Sequence, residues 1–302
     1  MLTGIHILIT YKCTIECDHC FLYSGPNAQG TMTLPQIRIV LDESRKIGNV
    51  EWIYFEGGEP FLFYPSLLEG ITLARDRGFR VGIVTNAYGA VSDEDALVWL
   101  RPLKDRGVDY LSISDDIYHY GQAEESPARR ALKAARELGM PAAPICIQEP
   151  FVEAAPGEGQ EKGRPVIGGG AMFKGRAVEN LTTGLPRRRW RDLKECPHEE
   201  LLSPSRVHID PYGYVHVCQG VSIGNIWQRP LPEIMAEYRA ESHAICGPLV
   251  KGGPACLARE YEVEHEDAYV DECHFCFLVR RELVKRFPEQ LAPRQVYGLE
   301  EK

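Results

Sequence analysis

Three cysteines crowd one short stretch, Lys12-Cys13-Thr14-Ile15-Glu16-Cys17-Asp18-His19-Cys20, with the spacing C-x3-C-x2-C. Thiolates are ligands for soft metals. A cubane [4Fe-4S] cluster takes four of them, so a loop offering three leaves one iron open to a ligand that is not protein. A zinc ion is the other reading, with His19 available as a fourth ligand. A second set follows much later: Cys196, Cys218, and Cys273-His274-Phe275-Cys276. Four thiolates would close one cubane completely, or hold one structural zinc. Of the ten cysteines, Cys146, Cys246 and Cys256 remain. The last two could supply alternative ligands.

Other chemistry-bearing groups fall at regular intervals after the first triplet. Phe55-Glu56-Gly57-Gly58-Glu59-Pro60 combines two glycines, which let backbone approach a ligand closely, with a carboxylate suited to an ammonium group. Val84-Thr85-Asn86 and Ser114-Asp115-Asp116 add a hydroxyl, an amide and carboxylates. Each could equally be a cap or a turn residue. His119 and Tyr120 follow, with packing as good an explanation as function.

Short β-rich runs and helical patterns must position these groups. Strands are expected at 4–10, 52–55, 81–85, 110–114 and 145–147, which places each motif just after a strand. That is the edge where α/β proteins keep their chemistry. Thr33 with Gln36 reads as a capping box for a helix stopping near Gly48. Further helices are expected from about Ser66 to Gly78, from Ser92 with three acidic residues in its first turn, and from Ser126-Pro127 to Gly139. This alternation predicts a parallel sheet, either open and barrel-like or doubly wound. Residues 156–170 are Gly/Pro-rich and read as a loop or an irregular last unit. Beyond them come a hairpin over 206–218, turning at Pro211-Tyr212-Gly213, and an amphipathic helix over 231–238. The expected division is 1–185 and 186–302.

The chain has 302 residues, 44% hydrophobic and 25% charged, with a net charge of −9. That excludes disordered and collagen-like classes. Ten cysteines is too sparse for a small disulfide scaffold, and metal thiolates in the cytoplasm fit better. No run reaches the ~18 apolar residues of a membrane span, so no membrane partner is expected. The acidic balance makes nucleic acid an unlikely partner, and Arg187-Arg188-Arg189 reads as a solvated charge run.

The C-x3-C-x2-C loop after the first strand, with Gly57-Gly58-Glu59-Pro60 after the second, resembles the radical S-adenosylmethionine (SAM) enzymes. The resemblance implies a partial (β/α)6 TIM-like barrel. It also implies a [4Fe-4S] cluster on Cys13, Cys17 and Cys20 whose open iron chelates SAM, and cleavage of SAM to a 5′-deoxyadenosyl radical that abstracts a hydrogen atom from substrate. Gly57, Gly58, Glu59 and Pro60 would then bind the SAM amino group. Thr85 and Asn86 resemble the family's T-N-G turn, with Ala87 in the glycine's place. Ser114 and Asp116 would face the ribose or carboxylate, and His19 the adenine. Cys146 is either a small buried hydrophobe on the fifth strand or a thiol hydrogen donor to a substrate radical.

The C-terminal set is similar to the twitch/SPASM-like extension that carries an auxiliary [4Fe-4S] cluster, here on Cys196, Cys218, Cys273 and Cys276. Around it stand Gly175-Arg176-Ala177, Asp210-Pro211-Tyr212-Gly213 and Gly224-Asn225-Ile226; the full C-x2-C-x5-C-x3-C pattern is absent. The implied substrate is a peptide or protein side chain, or else a small polar alcohol or sugar that would be dehydrogenated. A low-potential donor such as flavodoxin or ferredoxin would supply electrons. From another class, an iron–sulfur electron carrier or a zinc-stabilised binding module would cleave no SAM.

Overall fold

The structure, a computed structural model, describes residues 1–154 and 165–299. Part of the Gly/Pro-rich stretch expected as a loop therefore lies outside the described residues. The first half alternates strands and helices: β1 (Gly4–Thr10), α1 (Leu34–Ile47), β2 (Trp52–Gly57), α2 (Tyr64–Asp76), β3 (Arg80–Thr85), α3 (Asp93–Asp105), β4 (Tyr110–Ser114), α4 (Ile117–Tyr120), α5 (Pro127–Glu137) and β5 (Ala142–Ile145). A small hairpin follows, β6 (Phe151–Ala154) and β7 (Pro165–Gly168). Then come α6 (Arg176–Asn180), β8 (Arg188–Arg189), β9 (Arg206–Ile209), β10 (Tyr214–Cys218), β11 (Val221–Asn225), α7 (Leu231–Glu237), α8 (Cys246–Glu260), β12 (Ala268–Tyr269) and α9 (Glu272–Leu283).

Local chemistry explains the helix starts. The Thr33 side chain accepts from the Gln36 amide while Gln36 reaches back to the Thr33 amide at 2.8 Å. Ser92 and Ser126 accept from Asp95 and Arg129 at 3.0 and 3.1 Å. Each cap satisfies an amide that the first helical turn leaves without an acceptor.

One eight-stranded sheet runs β11-β10-β9-β1-β2-β3-β4-β5. The six strands from β9 to β5 are parallel, whereas β10 and β11 run antiparallel beyond β9. This is the open, partial-barrel arrangement of a mixed α/β fold, and the sheet crosses residue 185 without a break. The residue 206–218 hairpin forms as expected, but its first strand also pairs with β1. Alternation along the strands buries Ile5, Ile7, Ile53, Phe55, Val81 and Ile83 in one core with Ile37, Leu67 and Leu100 of the helices. The intervening residues, His6, Tyr54, Glu56 and His208, are only partly or just buried and share the opposite face.

The fifth strand lies three residues earlier than expected. Pro144 falls inside it, a position tolerated because β5 is an edge strand. Cys146 is consequently outside the strand and exposed, which overturns its reading as a buried strand residue. No described helix is long and apolar enough to cross a membrane.

Candidate active site at the carboxyl edge of the sheet

Directly after β1 the chain enters the cysteine loop. Cys13 and Cys17 are buried and Cys20 is partly so. The Cys13 amide donates to Gly25 O at 3.0 Å and the Cys20 amide to Cys17 O at 3.1 Å. The loop is also gripped from far along the chain. Arg176 donates from Nε to Cys17 O at 2.9 Å, from Nη2 to Ser24 O at 2.6 Å and from its amide to Cys20 O at 3.0 Å. Gly175, at φ +64°, makes that approach possible, because a Cβ there would lie 2.4 Å from Phe21 Cα. Arg176 was legible only as part of a turn, and its clamp on the loop was not.

The loop after β2 lies against the segment leading into the cysteines. The Gly58 amide donates to Thr10 O at 2.6 Å and that of Glu59 to Lys12 O at 2.9 Å. A Cβ at Gly57 would meet Thr10 O at 2.3 Å, and one at Gly58 would meet Lys12 O at 2.2 Å. The glycines therefore bring two backbone segments together, beyond any approach to a ligand. Glu59 is fully buried and points inward. Its carboxylate accepts from Thr85 Oγ1 at 2.7 Å, the Asn86 amide at 2.7 Å and the Phe61 amide at 2.9 Å. Burial pushes this carboxyl up to about 7, with those three donors pulling back. Pro60 opens a single 3-10 turn, Pro60–Phe63.

Asn86 links this network to the cysteines: its Nδ2 lies 3.7 Å from Cys13 Sγ and donates to Thr14 Oγ1 at 3.0 Å. Tyr120 O–H donates to Asn86 O. Ala87 has φ +56°, the left-handed conformation that the glycine of a T-N-G turn would adopt easily.

Ser114 ends β4, and Asp116 caps α4 by accepting from the Tyr118 and His119 amides at 3.0 and 3.2 Å. Asp116 also lies 2.8 Å from His119 Nδ1 and 3.5 Å from His19 Nε2. Burial would raise its carboxyl, but hydrogen bonding to His119 and His19 outweighs that and holds it well below the usual range. His19 packs edge-on to Tyr118 with ring centroids 4.9 Å apart. In this structure Asp116 orients two histidines beside the cysteine loop. Exposed Cys146 lines an adjacent cavity of about 610 Å³ with Asp116, Tyr120 and Gln148.

The second cysteine set gathers around β10 and α9. Burial, then the neighbouring Cys218 thiol, raise Cys196, while Cys276 is pushed up to about 12 by burial, with Cys218 and Cys196 adding to it. Cys273 is raised by burial, with Asp271, Cys218 and Cys276 adding to it and Lys174 opposing. Two buried cations face the set. Lys174 Nζ lies 4.0 Å from Cys218 Sγ and 3.7 Å from Glu199 Oε1; Arg280 Nη1 lies 3.8 Å from Cys218 Sγ and 3.0 Å from Gln219 O. Cys273, Cys276 and Arg280 stand at helical spacing on one face of α9, a signal readable in sequence. Cys246 is buried, and burial pushes it up to about 12, with its hydrogen bond to Tyr238 pulling the other way.

Three thiols on one loop, two of them buried, are a donor set that suits an iron–sulfur cluster. Burial raises Cys13 to about 11 and Cys17 further still, with other thiols adding to both, and a cationic centre among them would favour their thiolates. A single zinc at about 2.3 Å from each sulfur would hold its thiolates within about 4 Å of one another. Among the described residues, the triads whose ligand atoms lie within 4.8 Å of one another are Cys17/His19/His119 and His6/Glu56/His208, neither one a cysteine triplet.

Residues 7–148 match the Radical SAM superfamily. Over 133 residues the chain is 26% identical to the putative peptide biosynthesis protein YydG of Bacillus subtilis, an overlap covering 44% of this chain and 42% of that protein. Over 114 residues it is 31% identical to the tungsten-containing aldehyde ferredoxin oxidoreductase cofactor-modifying protein of Pyrococcus furiosus, covering 37% of this chain and 30% of that one. The chain thus spans less than half the length of these curated relatives. In fold it is similar to BtrN, solved in complex with AdoMet and 2-DOIA, with TM-score 0.52 and 14% identity over 78% of this chain and 82% of that one.

Proposed function

Because residues 7–148 match the Radical SAM superfamily, we propose that this chain is a radical SAM enzyme that abstracts a hydrogen atom from a peptide or protein side chain to modify it. The domain takes a [4Fe-4S] cluster and SAM; together, when bound, they supply one-electron cleavage of the SAM sulfonium and the hydrogen abstraction that follows. Cys13, Cys17 and Cys20 would hold the cluster, with Asn86 beside Cys13 and Arg176 fixing the loop's carbonyls. Residues 57–60, Thr85, Asn86, Ser114, Asp116 and His19 line the same edge of the sheet and would hold SAM. Since the Glu59 carboxylate is turned inward to Thr85 and Asn86, backbone carbonyls of the loop are the groups left for the SAM ammonium.

A closed auxiliary [4Fe-4S] cluster on Cys196, Cys218, Cys273 and Cys276 belongs to this reading. So does a low-potential flavodoxin or ferredoxin as electron donor. Lys174 and Arg280 would offset the negative charge of that cluster. The similarity to YydG, a putative peptide biosynthesis protein, supports the peptide substrate, and a short precursor encoded nearby would support it further.

The observation that carries the reading is the loop of three thiols at the carboxyl end of β1, two of them buried and one partly so, braced by the loops after β2 and β3. Its test is anaerobic reconstitution with iron and sulfide, reduction by dithionite, and assay for 5′-deoxyadenosine. Cys17→Ala is expected to abolish that product. Equal turnover by the variant would overturn the assignment.

A further inference from the structure

A second constellation stands on the face of the sheet opposite the Ile5/Ile7 core. His6 on β1 pairs in register with His208 on β9, and His208 pairs with His216 on β10. Three imidazoles therefore stand in one row across adjacent strands. Glu56 on β2 lies two residues beyond Tyr54, the register partner of His6, and so shares that face. His6 Nδ1 lies 2.9 Å and His208 Nε2 3.4 Å from the two oxygens of Glu56. All three ligand atoms fall within 4.8 Å of one another, the spacing of ligands around one ion.

We propose that His6, Glu56 and His208 bind a divalent transition cation of the zinc class. Two imidazoles and one carboxylate suit such an ion and leave a coordination position for a donor atom from solvent or substrate. An independent observation points the same way. His216, fully buried beside His208, has its Nε2 3.4 Å from Asp210 Oδ2, while its Nδ1 has no hydrogen-bond partner among the described residues. A buried ring nitrogen left without a partner is the kind of group that water held by a nearby ion satisfies.

Side-chain exposures of 12 to 17% at the three residues leave an entry path. Four strand residues separate His6 from the end of β1, so the ion would lie about 13 Å below the cysteine loop. It is distinct from the cluster site and does not depend on SAM cleavage.

The test uses the reconstituted holoenzyme, freed of loosely held iron and equilibrated with Zn2+ or Co2+. One zinc per chain is expected in excess of the cluster metal. His208→Ala and Glu56→Gln should each weaken its binding at least tenfold with cluster iron unchanged. The bound cobalt should show visible d–d bands without the near-ultraviolet charge-transfer bands of thiolate ligation. Thiolate bands, no ion beyond the clusters, or undiminished zinc binding in both variants would overturn the site. Should a variant lose its cluster iron, the wild-type cobalt spectrum decides alone.

Discussion

At Glu59, burial and hydrogen bonding pull in opposite directions. Three donors converge on the carboxylate, yet its complete burial still lifts it from 4.5 to about 7. Between those values the folded chain keeps a proton that the unfolded chain has lost. Stability therefore falls as pH rises through this window, by up to about 3 kcal/mol. Glu59→Gln removes the titration while placing an N–H against one of the donors. The variant should be less stable than wild type near pH 5 and recover relative to it toward pH 7.5, measured by anaerobic urea denaturation across that range. A stability difference that does not vary with pH would show that Glu59 does not titrate there. None of this inward geometry was legible in Gly57-Gly58-Glu59-Pro60. The carboxylate's direction is set by Thr85, the last residue of β3, and Asn86 just after it, which are joined to Glu59 only by the fold.

Elements differ in how far local sequence governs them. The caps at Thr33, Ser92 and Ser126 appear at the residues that the sequence marks, because a cap needs only its own first turn. β5 begins three residues before the expected run and takes in Pro144, which an edge strand tolerates and which no local pattern announces. α9 shows a local pattern with a distant purpose. Its helical spacing puts Cys273 and Cys276 on one face with Arg280, whose guanidinium reaches Cys218 on β10. The cation thus stands where four sulfurs would carry negative charge. If these cysteines hold a closed cubane, Cys273→Ala should lower iron by about four atoms per chain while leaving the N-terminal cluster and its SAM cleavage spectroscopically detectable. An unchanged iron count would remove the auxiliary assignment, whatever happened to turnover.

At the scale of the whole molecule, the question is what joins the two cysteine regions. The expected division at residue 185 follows a change in sequence texture, but β9, well beyond it, pairs directly with β1. Such non-local pairing has no periodicity to reveal it, since either strand alone reads as a short alternating run. Arg176 and Gly175, together with Gln295 donating to Tyr23 O at 2.8 Å, tie later segments to the cysteine loop as well. Removing residues 186–302 would strip β1 of one neighbour and leave it an edge strand, still paired with β2 but open on its other side and carrying Ile5, Ile7 and Ile9, a template for association with other chains. The fragment 1–185 is therefore expected to aggregate or elute as high-order oligomers in size-exclusion chromatography, and to lose iron after reconstitution. A monomeric fragment that unfolds cooperatively and keeps its N-terminal cluster would show instead that the first five strands are self-sufficient and that the later segments merely lean on them.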